Sequence, residues 1–203
     1  MKALVIGSSG TIGNAVTRLL QEKGYEIIPA SRSTEPSMNI EDPSSIEQFF
    51  ATIDEVDAIV AIAGSVAGGA IDKLTDEQVE VGLKSKLAGQ INIVRKGLTK
   101  LRPGGVFVIT GGMLAFMSWP ETSMYAMVNA GLDAFAKGAA LDLTEGRRIV
   151  IVHPPYAVET AAKLGMDTSP WPSADETAIA YLEAIEGNKN GEPVFVKGYE
   201  PGK

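Results

Sequence analysis

The sequence contains no cysteine and only one histidine among its 203 residues. Without cysteine the chain forms neither a disulfide framework nor a thiolate zinc site, and one histidine excludes a multi-histidine metal site. We therefore expect no metal. No apolar stretch reaches the length of a membrane span, and the opening run Ala3–Ile6 is too short for a signal-peptide core. We expect a cytoplasmic protein with no membrane partner.

The chain also has few positive charges. It carries 18 Lys and Arg against 25 Asp and Glu, a net charge of -7, which opposes general binding to the nucleic-acid backbone. Hydrophobic residues make up 45% and charged residues 21%, as in an ordinary globular protein. We therefore expect no nucleic-acid partner. The length suits a single domain over 1–203.

Short apolar runs alternate with segments of helical spacing along the chain. The runs predict six strands, at Ala3–Ile6, Glu26–Pro29, Ala58–Ala63, Val106–Thr110, Ile149–Val152 and Val194–Val196. Capping patterns and apolar periodicity predict five helices, at about 11–23, 43–53, 75–101, 123–145 and 173–187. Pro29 favours an edge position for the second strand, and 160–172 has no regular pattern. This alternation predicts an α/β fold with a doubly wound parallel sheet covered by helices on both faces.

A glycine-rich turn joins the first strand to the first helix. Glycines there let the backbone approach a pyrophosphate, and the helix N-terminus offers free N–H groups and a positive dipole end. This context predicts a Rossmann-type dinucleotide site; the alternative is that the glycines serve only a tight turn. The residues predicted to hold the pyrophosphate are Gly7, Ser9, Gly10, Thr11, Ile12 and Gly13.

The second strand ends at Ser31 and Arg32, where an acidic residue would bind the ribose diol of NAD(H). No acidic residue is present, and a guanidinium can pair with a 2′-phosphate in bidentate fashion. The cofactor favoured is therefore NADP(H) over NAD(H), unless Arg32 is a solvated loop residue. Asn39 and Ile40, before the second helix, are expected to hold the adenine amine and face.

In order along the chain, these segments resemble the short-chain dehydrogenase/reductase family over nearly the whole length. The glycine turn comes first, and Asn39-Ile40 stands where the family has an aspartate and an aliphatic residue. The resemblance also rests on Ala61-Ile62-Ala63-Gly64, Tyr125 to Lys137, His153-Pro154-Pro155 and Asn190 to Gly198. It implies hydride transfer between a nicotinamide and a small carbonyl or alcohol, with Ala63 and Gly64 beside the cofactor.

The resemblance also implies a tetrad, which this sequence alters. In the family a tyrosine is the general acid/base, a lysine four residues on assists it, a serine holds the substrate oxygen, and an asparagine on the preceding long helix maintains a proton path. Tyr125 matches the tyrosine, but Asn129 stands at the lysine and Lys86 at the asparagine. The serine position falls on Gly111 or Gly112, next to Thr110.

Lysine and asparagine thus look exchanged between the two long helices. We hypothesise that the ammonium of Lys86 enters the site from the other helix, favours the phenolate of Tyr125, and leaves Asn129 to orient the nicotinamide ribose. The alternative is an exposed Lys86 and a functionless Asn129. Substitutes for the serine are Thr110, Ser118, Ser123 and the N–H of Gly112, since an absent oxyanion donor is costly.

Several other side chains have two possible roles each. His153 is either an acid/base or a packed residue, and Tyr156 either lines the nicotinamide pocket or packs under its loop. The apolar side chains expected to wall a substrate pocket, or to form loop core or a subunit interface, are Met113, Phe116, Met117, Trp119 and Trp171.

The sequence favours an NADP(H)-dependent oxidoreductase with an altered tetrad acting on a small molecule. One alternative is a catalytically inactive NADP(H)-binding sensor, which needs only the glycine turn and Arg32. Another is an NADP-linked reductase of quinones or activated alkenes that needs no Tyr–Lys pair. The resemblance also implies a homodimer or homotetramer through the helices at 75–101 and 123–145.

Overall fold

The computed structural model describes residues 1–202; the predicted domain extends to residue 203, which lies outside the described residues. Its strands form one parallel sheet with the order β2-β1-β3-β4-β5-β6. The strands are β1 (Lys2–Ile6), β2 (Glu26–Ala30), β3 (Val56–Ala61), β4 (Leu101–Thr110), β5 (Arg148–His153) and β6 (Pro193–Phe195).

Helices connect successive strands. The α-helices are α1 (Thr11–Glu22), α2 (Pro43–Ala51), α3 (Asp76–Val81), α4 (Gly89–Gly97), α5 (Ser123–Asp142), α6 (Val158–Lys163) and α7 (Ala174–Glu186). A π-helical segment, Gly82–Ala88, joins α3 to α4, and 3-10 turns occupy Leu98–Lys100 and Met113–Ala115. Within residues 1–202 no helix is long and apolar enough to cross a membrane.

The two faces of the sheet form two separate cores because alternate strand residues point to opposite faces. Small side chains such as Ala3 and Val5 pack on one face with α1 and α7. Larger ones such as Leu4 and Ile6 pack on the other face with α2, α4 and α5. The central strands are therefore buried on both sides, and the predicted doubly wound α/β fold is confirmed.

All six predicted strands are present, and β2 with Pro29 lies at an edge of the sheet as expected. Both predicted capping boxes form: Thr75 with Gln78 begins α3, and Ser173 with Glu176 begins α7. Each cap satisfies backbone N–H groups that have no partner within the helix. Local chemistry therefore sets these helix starts.

Two helices were predicted with the wrong extent, and one helix was not predicted. The helix expected over 75–101 is interrupted by the π-helical segment, and its last residues form a 3-10 turn. The helix expected over 123–145 ends at Asp142, because the backbone of Leu143 is extended, with ψ 134°. Glu145 and Gly146 adopt positive φ in the turn that follows. Residues 160–163, at the start of the stretch 160–172 expected to be irregular, belong to the helix α6, which begins at Val158.

The strand order places a crevice at the carboxyl end of β1. From β1 the chain crosses to β2 on one side and then returns to β3 on the other. The loops that follow β1 and β3 therefore diverge, and ligands of open α/β sheets bind at such a switch point. This position is where the glycine turn lies.

Candidate functional site

The crevice holds a first cavity of about 560 Å³ at the carboxyl ends of β1, β2 and β3. Twelve residues predicted to contact the cofactor line it, which brings together segments far apart in the sequence. They are Gly7, Ser9, Gly10, Thr11, Ile12, Gly13, Ser31, Arg32, Asn39, Ile40, Ala63 and Gly64.

The glycine turn has no room for side chains. A Cβ on Gly7, whose φ is +89°, would lie 2.8 Å from the backbone N of Ala63, and one on Gly13 would lie 2.0 Å from the carbonyl O of Gly7. The N-cap of α1 is Gly10, which has no side chain to occupy the free N–H groups of the first turn. The helix therefore presents bare donors and its positive dipole end to the cavity, as an anion site requires.

A lysine that sequence reasoning missed reaches this turn. Lys163, the last residue of α6, donates from its Nζ to Thr11 Oγ1 at 3.3 Å. The two residues are 152 positions apart, so no local pattern connects them. The ammonium adds a positive charge to the anion-binding end of α1.

The rim after β2 carries an arginine with no partner. Arg32 is exposed, lines the first cavity, and makes no side-chain hydrogen bond or ion pair with any residue from 1 to 202. Beside it, Ser31 is buried, and its hydroxyl lies 3.0 Å from that of Ser33, which also lines the cavity. The guanidinium of Arg32 and the hydroxyls of Ser31 and Ser33 thus lie at the same rim of the first cavity, and together they are a suitable set of donors for a phosphate group.

Asn39 and Ile40 lie farther along the same cavity. Asn39 Oδ1 accepts a hydrogen bond from the backbone N of Glu41 at 3.2 Å. Ile40 is buried, and its Cδ1 would be 3.1 Å from a Cβ on Gly89 of α4. Ile40 is therefore both an apolar wall of the cavity and a core residue.

A second cavity of about 600 Å³ adjoins the first and shares Ile12, Ile62 and Gly64 with it. The residues predicted to act in catalysis all line this second cavity. They are Tyr125, Lys86, Asn129, Thr110 and Gly112.

Lys86 reaches this cavity from the π-helical segment. A Cβ on Gly64 would lie 2.9 Å from Lys86 Cδ, so the absence of a side chain there lets the lysine pass. Its Nζ donates to the carbonyl O of Gly111 at 3.0 Å. Removal of the ammonium from water lowers the pKa of Lys86 from 10.5 to about 8. No acidic side chain from residues 1–202 pairs with it.

Asn129 lies on α5, four residues after Tyr125 and on the same side of the helix. It is 5% exposed, and its Oδ1 is buried with no hydrogen-bond partner within the described chain. A Cβ on Gly112 would lie 2.8 Å from Asn129 Nδ2. An unpartnered buried amide oxygen at a cavity wall is costly unless a ligand donates to it.

Two of the proposed substitutes for serine are already engaged. Thr110 Oγ1 donates to the carbonyl O of Ala61 at 2.7 Å and lies 2.9 Å from the hydroxyl of Tyr181. The backbone N–H of Gly112 lies 3.1 Å from His153 Nδ1, which accepts from it when the ring proton is on Nε2. The other two, Ser118 and Ser123, are exposed and are not among the described residues that line the cavity.

His153 forms a buried chain of contacts that the sequence did not reveal. It is fully buried, and its Nε2 lies 3.3 Å from Oδ1 of Asp133, whose Oδ2 accepts from Lys137 Nζ at 2.6 Å. His153 Nδ1 lies 3.1 Å from both the backbone N and the carbonyl O of Gly112. With the proton on Nε2, toward Asp133, Nδ1 accepts from the N–H of Gly112; with the proton on Nδ1, it donates to the carbonyl O. Burial lowers the pKa of His153, so the neutral ring holds the Gly111-Gly112 loop in place.

The rest of the second cavity is mainly apolar and aromatic. Tyr156 and Trp171 pack edge to face with ring centres 5.5 Å apart, and both line the cavity with Met113, Met117 and Trp119. Phe116 instead packs on His153 with ring centres 4.8 Å apart and is 42% exposed. No group of three or more metal-ligating side chains occurs within residues 1–202.

The two adjoining cavities agree with the family to which the sequence is similar. The sequence profile described as short chain dehydrogenase matches residues 1–168, most of the chain. The chain belongs to the short chain dehydrogenase family. Both cavities are formed mainly by residues within the matched segment.

Three proteins illustrate the similarity of this short chain dehydrogenase to known ones. The crystal structure of the protein lin1944 from Listeria innocua has 35% sequence identity and a TM-score of 0.89, covering 97% of this chain and 99% of that one. The NADPH-dependent 1-acyldihydroxyacetone phosphate reductase of Saccharomyces cerevisiae is 28% identical over 165 residues, 70% of this chain and 55% of the yeast protein. The 3-oxoacyl-(acyl-carrier-protein) reductase FabG of Escherichia coli is 27% identical over 180 residues, 78% and 73% of the two chains. The aligned part thus spans only about half of the yeast reductase.

Proposed function

We propose that this protein is an NADP(H)-dependent oxidoreductase that transfers hydride to or from a small carbonyl or alcohol. The observation that carries the proposal is the convergence of Lys86, Tyr125 and Asn129 on one cavity, which adjoins the cavity of the glycine turn. The first cavity can hold a dinucleotide, and the second can bring a substrate to its reactive end. Family membership supports the reaction class.

The residues of the first cavity fit NADP(H). The turn at Gly7 and Gly13 leaves room for a pyrophosphate over the N-terminus of α1, with Lys163 as an added cation. Arg32 and Ser31 suit a 2′-phosphate, and the one carboxylate among the described residues that line the cavity, Glu41, follows Asn39 and Ile40 instead of the end of β2, where a ribose diol would need it. The name of the yeast relative, an NADPH-dependent reductase, points the same way.

Asn129 is proposed to orient the nicotinamide ribose. Its buried Oδ1 has no partner among the described residues, and a ribose hydroxyl would supply the missing donor. When bound, the reduced nicotinamide supplies a hydride to the carbonyl carbon of the substrate. Asn129 therefore acts by fixing where that hydride is presented.

Tyr125 is proposed as the proton donor and Lys86 as the cation that assists it. Both residues line the second cavity, and the ammonium of Lys86 enters it from the π-helical segment Gly82–Ala88 instead of from α5. A positive charge near a phenol favours the phenolate that remains after proton transfer. The exchanged lysine and asparagine would thus perform both roles from exchanged helices.

The test is Lys86→Ala, with Lys84→Ala as the matched control because Lys84 is an exposed lysine on the same segment. NADPH binding is measured by energy transfer from tryptophan, and turnover by NADPH oxidation with 4-nitrobenzaldehyde. We expect Lys86→Ala to lose about 10²-fold in kcat, the scale of a lost electrostatic or acid-base contribution, while still binding NADPH. Unchanged turnover in Lys86→Ala would refute its role, and NADPH binding without turnover by the unaltered protein would favour the sensor function.

We also propose a homodimer or homotetramer through the helices of 75–101 and 123–145. These helices expose apolar side chains, including Leu83, Leu98 and Met127. Exposed apolar side chains on neighbouring helices suit burial against a second copy. Analytical ultracentrifugation tests this: a Met127→Lys variant should shift the protein toward the monomer, and a wild-type monomer would contradict it.

A further inference from the structure

Three tyrosines line the second cavity: Tyr125, Tyr156 and Tyr199. Tyr125 is the proposed proton donor, and Tyr156 lies beyond Pro154-Pro155 at the carboxyl end of β5. We propose that the hydroxyl of Tyr156 is the second hydrogen-bond donor to the substrate oxygen, in the role that the family pattern gives to the missing serine. This inference rests on the proposed function and names a further catalytic residue for it.

The first argument is that other donors near the Gly111-Gly112 loop are occupied. The hydroxyl of Thr110 donates to the carbonyl O of Ala61, and the N–H of Gly112 lies 3.1 Å from His153 Nδ1. The third tyrosine of the cavity, Tyr199, donates its hydroxyl to the carbonyl O of Pro170 at 2.8 Å. Each of these three groups therefore has a protein partner close by before a substrate binds.

The second argument is that the hydroxyl of Tyr156 has no hydrogen-bond partner within residues 1–202, although its ring is fixed. Trp171 packs against the ring edge to face, and the preceding prolines restrict the backbone. The phenol is partly buried and lines the cavity. A rigid ring with a free hydroxyl is a preorganised donor, which is what stabilises charge developing on an oxygen.

The third argument is that Tyr156 remains a hydrogen-bond donor. Burial raises the pKa of Tyr156, and the electrostatic effect of Tyr125 raises it further. Tyr156 therefore keeps its proton during the reaction. The two phenols can then act differently on one substrate oxygen: one transfers a proton, and the other only donates a hydrogen bond.

The step balances with the proposed reaction. In the reductive direction the carbonyl carbon accepts the hydride supplied by the cofactor, and the C=O π electrons move to the oxygen. The oxygen takes the proton of Tyr125, leaving a phenolate and an alcohol. Tyr156 donates to that oxygen throughout and ends the step unchanged.

The test is Tyr156→Phe, which removes the hydroxyl but keeps the ring against Trp171. Tyr25→Phe is the control, because it removes a hydroxyl that bonds to Glu186, and Tyr25 is not among the described residues that line either cavity. With NADPH and 4-nitrobenzaldehyde we expect Tyr156→Phe to lose about 10²-fold in kcat/KM, as for one oxyanion donor. Tyr25→Phe should stay close to the unaltered protein, and equal losses in both variants would overturn the proposal.

A binding measurement separates this proposal from the proposed function. The only two tryptophans of the chain, Trp119 and Trp171, both line this cavity, so their fluorescence reports its occupancy. Benzamide offers a carbonyl oxygen that hydride does not reduce. In the NADP⁺ complex, Tyr156→Phe should bind benzamide roughly tenfold more weakly, the effect of one hydrogen bond. Equal affinity would overturn the role of Tyr156 even in an active enzyme, and weakened binding would support it even if no carbonyl were reduced.

Discussion

Lys86 is expected to cost the protein stability, and replacement by methionine measures that cost. A fall in pKa from 10.5 to about 8 means that folding disfavours the ammonium by about 3 kcal/mol. Methionine has a similar length and no charge to bury, but it leaves the carbonyl O of Gly111 without a donor, which costs about 1 kcal/mol. We therefore expect Lys86→Met to be about 2 kcal/mol more stable than the unaltered protein at pH 7.

The pH dependence of this difference identifies its cause. In the unfolded chain the lysine keeps its proton up to about pH 10.5, whereas in the folded protein it loses it near pH 8. The cost of the buried charge is therefore full below pH 8, falls as the pH rises, and disappears above the unfolded value. Only the unaltered protein contains this contribution, so the advantage of Lys86→Met should shrink as the pH rises. Above about pH 10.5 it should reverse to about 1 kcal/mol in favour of the unaltered protein, because the carbonyl O of Gly111 still lacks its donor in the variant.

Urea denaturation without cofactor, at pH 7 and in steps toward alkaline pH, gives both free energies of unfolding. Lys84→Met is the control and should change stability little, since Lys84 is exposed. A Lys86→Met protein that is less stable at pH 7, or a gain that is the same at every pH, would refute the reasoning. In the first case the ammonium would contribute net stability, and in the second the gain would come from packing.

Three further predictions concern the cofactor and the loop beside it. Arg32→Ala should raise the Kd for NADPH about tenfold or more and leave that for NADH unchanged, by fluorescence titration; equal effects on both would contradict 2′-phosphate binding. Gly13→Ala should abolish NADPH binding and lower the melting temperature, because its Cβ would lie 2.0 Å from Gly7 O. The control Gly138→Ala has open space for its Cβ within α5 and should raise the melting temperature. Gly112→Ser restores the serine of the family pattern but should still lower NADPH affinity, since its Cβ would lie 2.8 Å from Asn129 Nδ2; tighter binding in the same titration would show that the loop adapts.

Much of the fold was predictable because its determinants are local. Each strand is a short apolar run that needs no partner to be recognised, and Pro29 identified the edge strand. The capping box at Thr75 fixed the start of α3 because both of its partners lie within one turn. The π-helical segment that follows was missed, since its residues have ordinary helical character and tertiary contacts decide the wider turn.

The candidate site also combines residues that could be predicted from local sequence with contacts that could not. The glycine turn and Arg32 were predicted because one strand, one turn and one helix start define their positions. The contacts of Lys163 with Thr11 and of Asp133 with His153 join residues far apart in sequence, and no spacing rule indicates them. The contact between the Gly112 N–H and His153 Nδ1 could not be predicted from the sequence either, although it affects which donors are available to a substrate.

Because Lys86 lies in the π-helical segment Gly82–Ala88, the direction of its side chain depends on the number of residues in that segment. A π turn holds about one residue more than an α turn, so deletion of a single exposed residue such as Leu83 would let an α-helix run on unbroken. The flanking helices α3 and α4 would keep their facing, because the wider turn absorbs the extra residue, whereas the side chains inside the segment would change direction. Lys86 is one of these side chains, so a deletion that leaves Lys86 itself in place would still redirect it. An insertion or deletion here can therefore switch the site more completely than most substitutions, and relatives that differ in length at this helix should be aligned by structure before their site residues are compared.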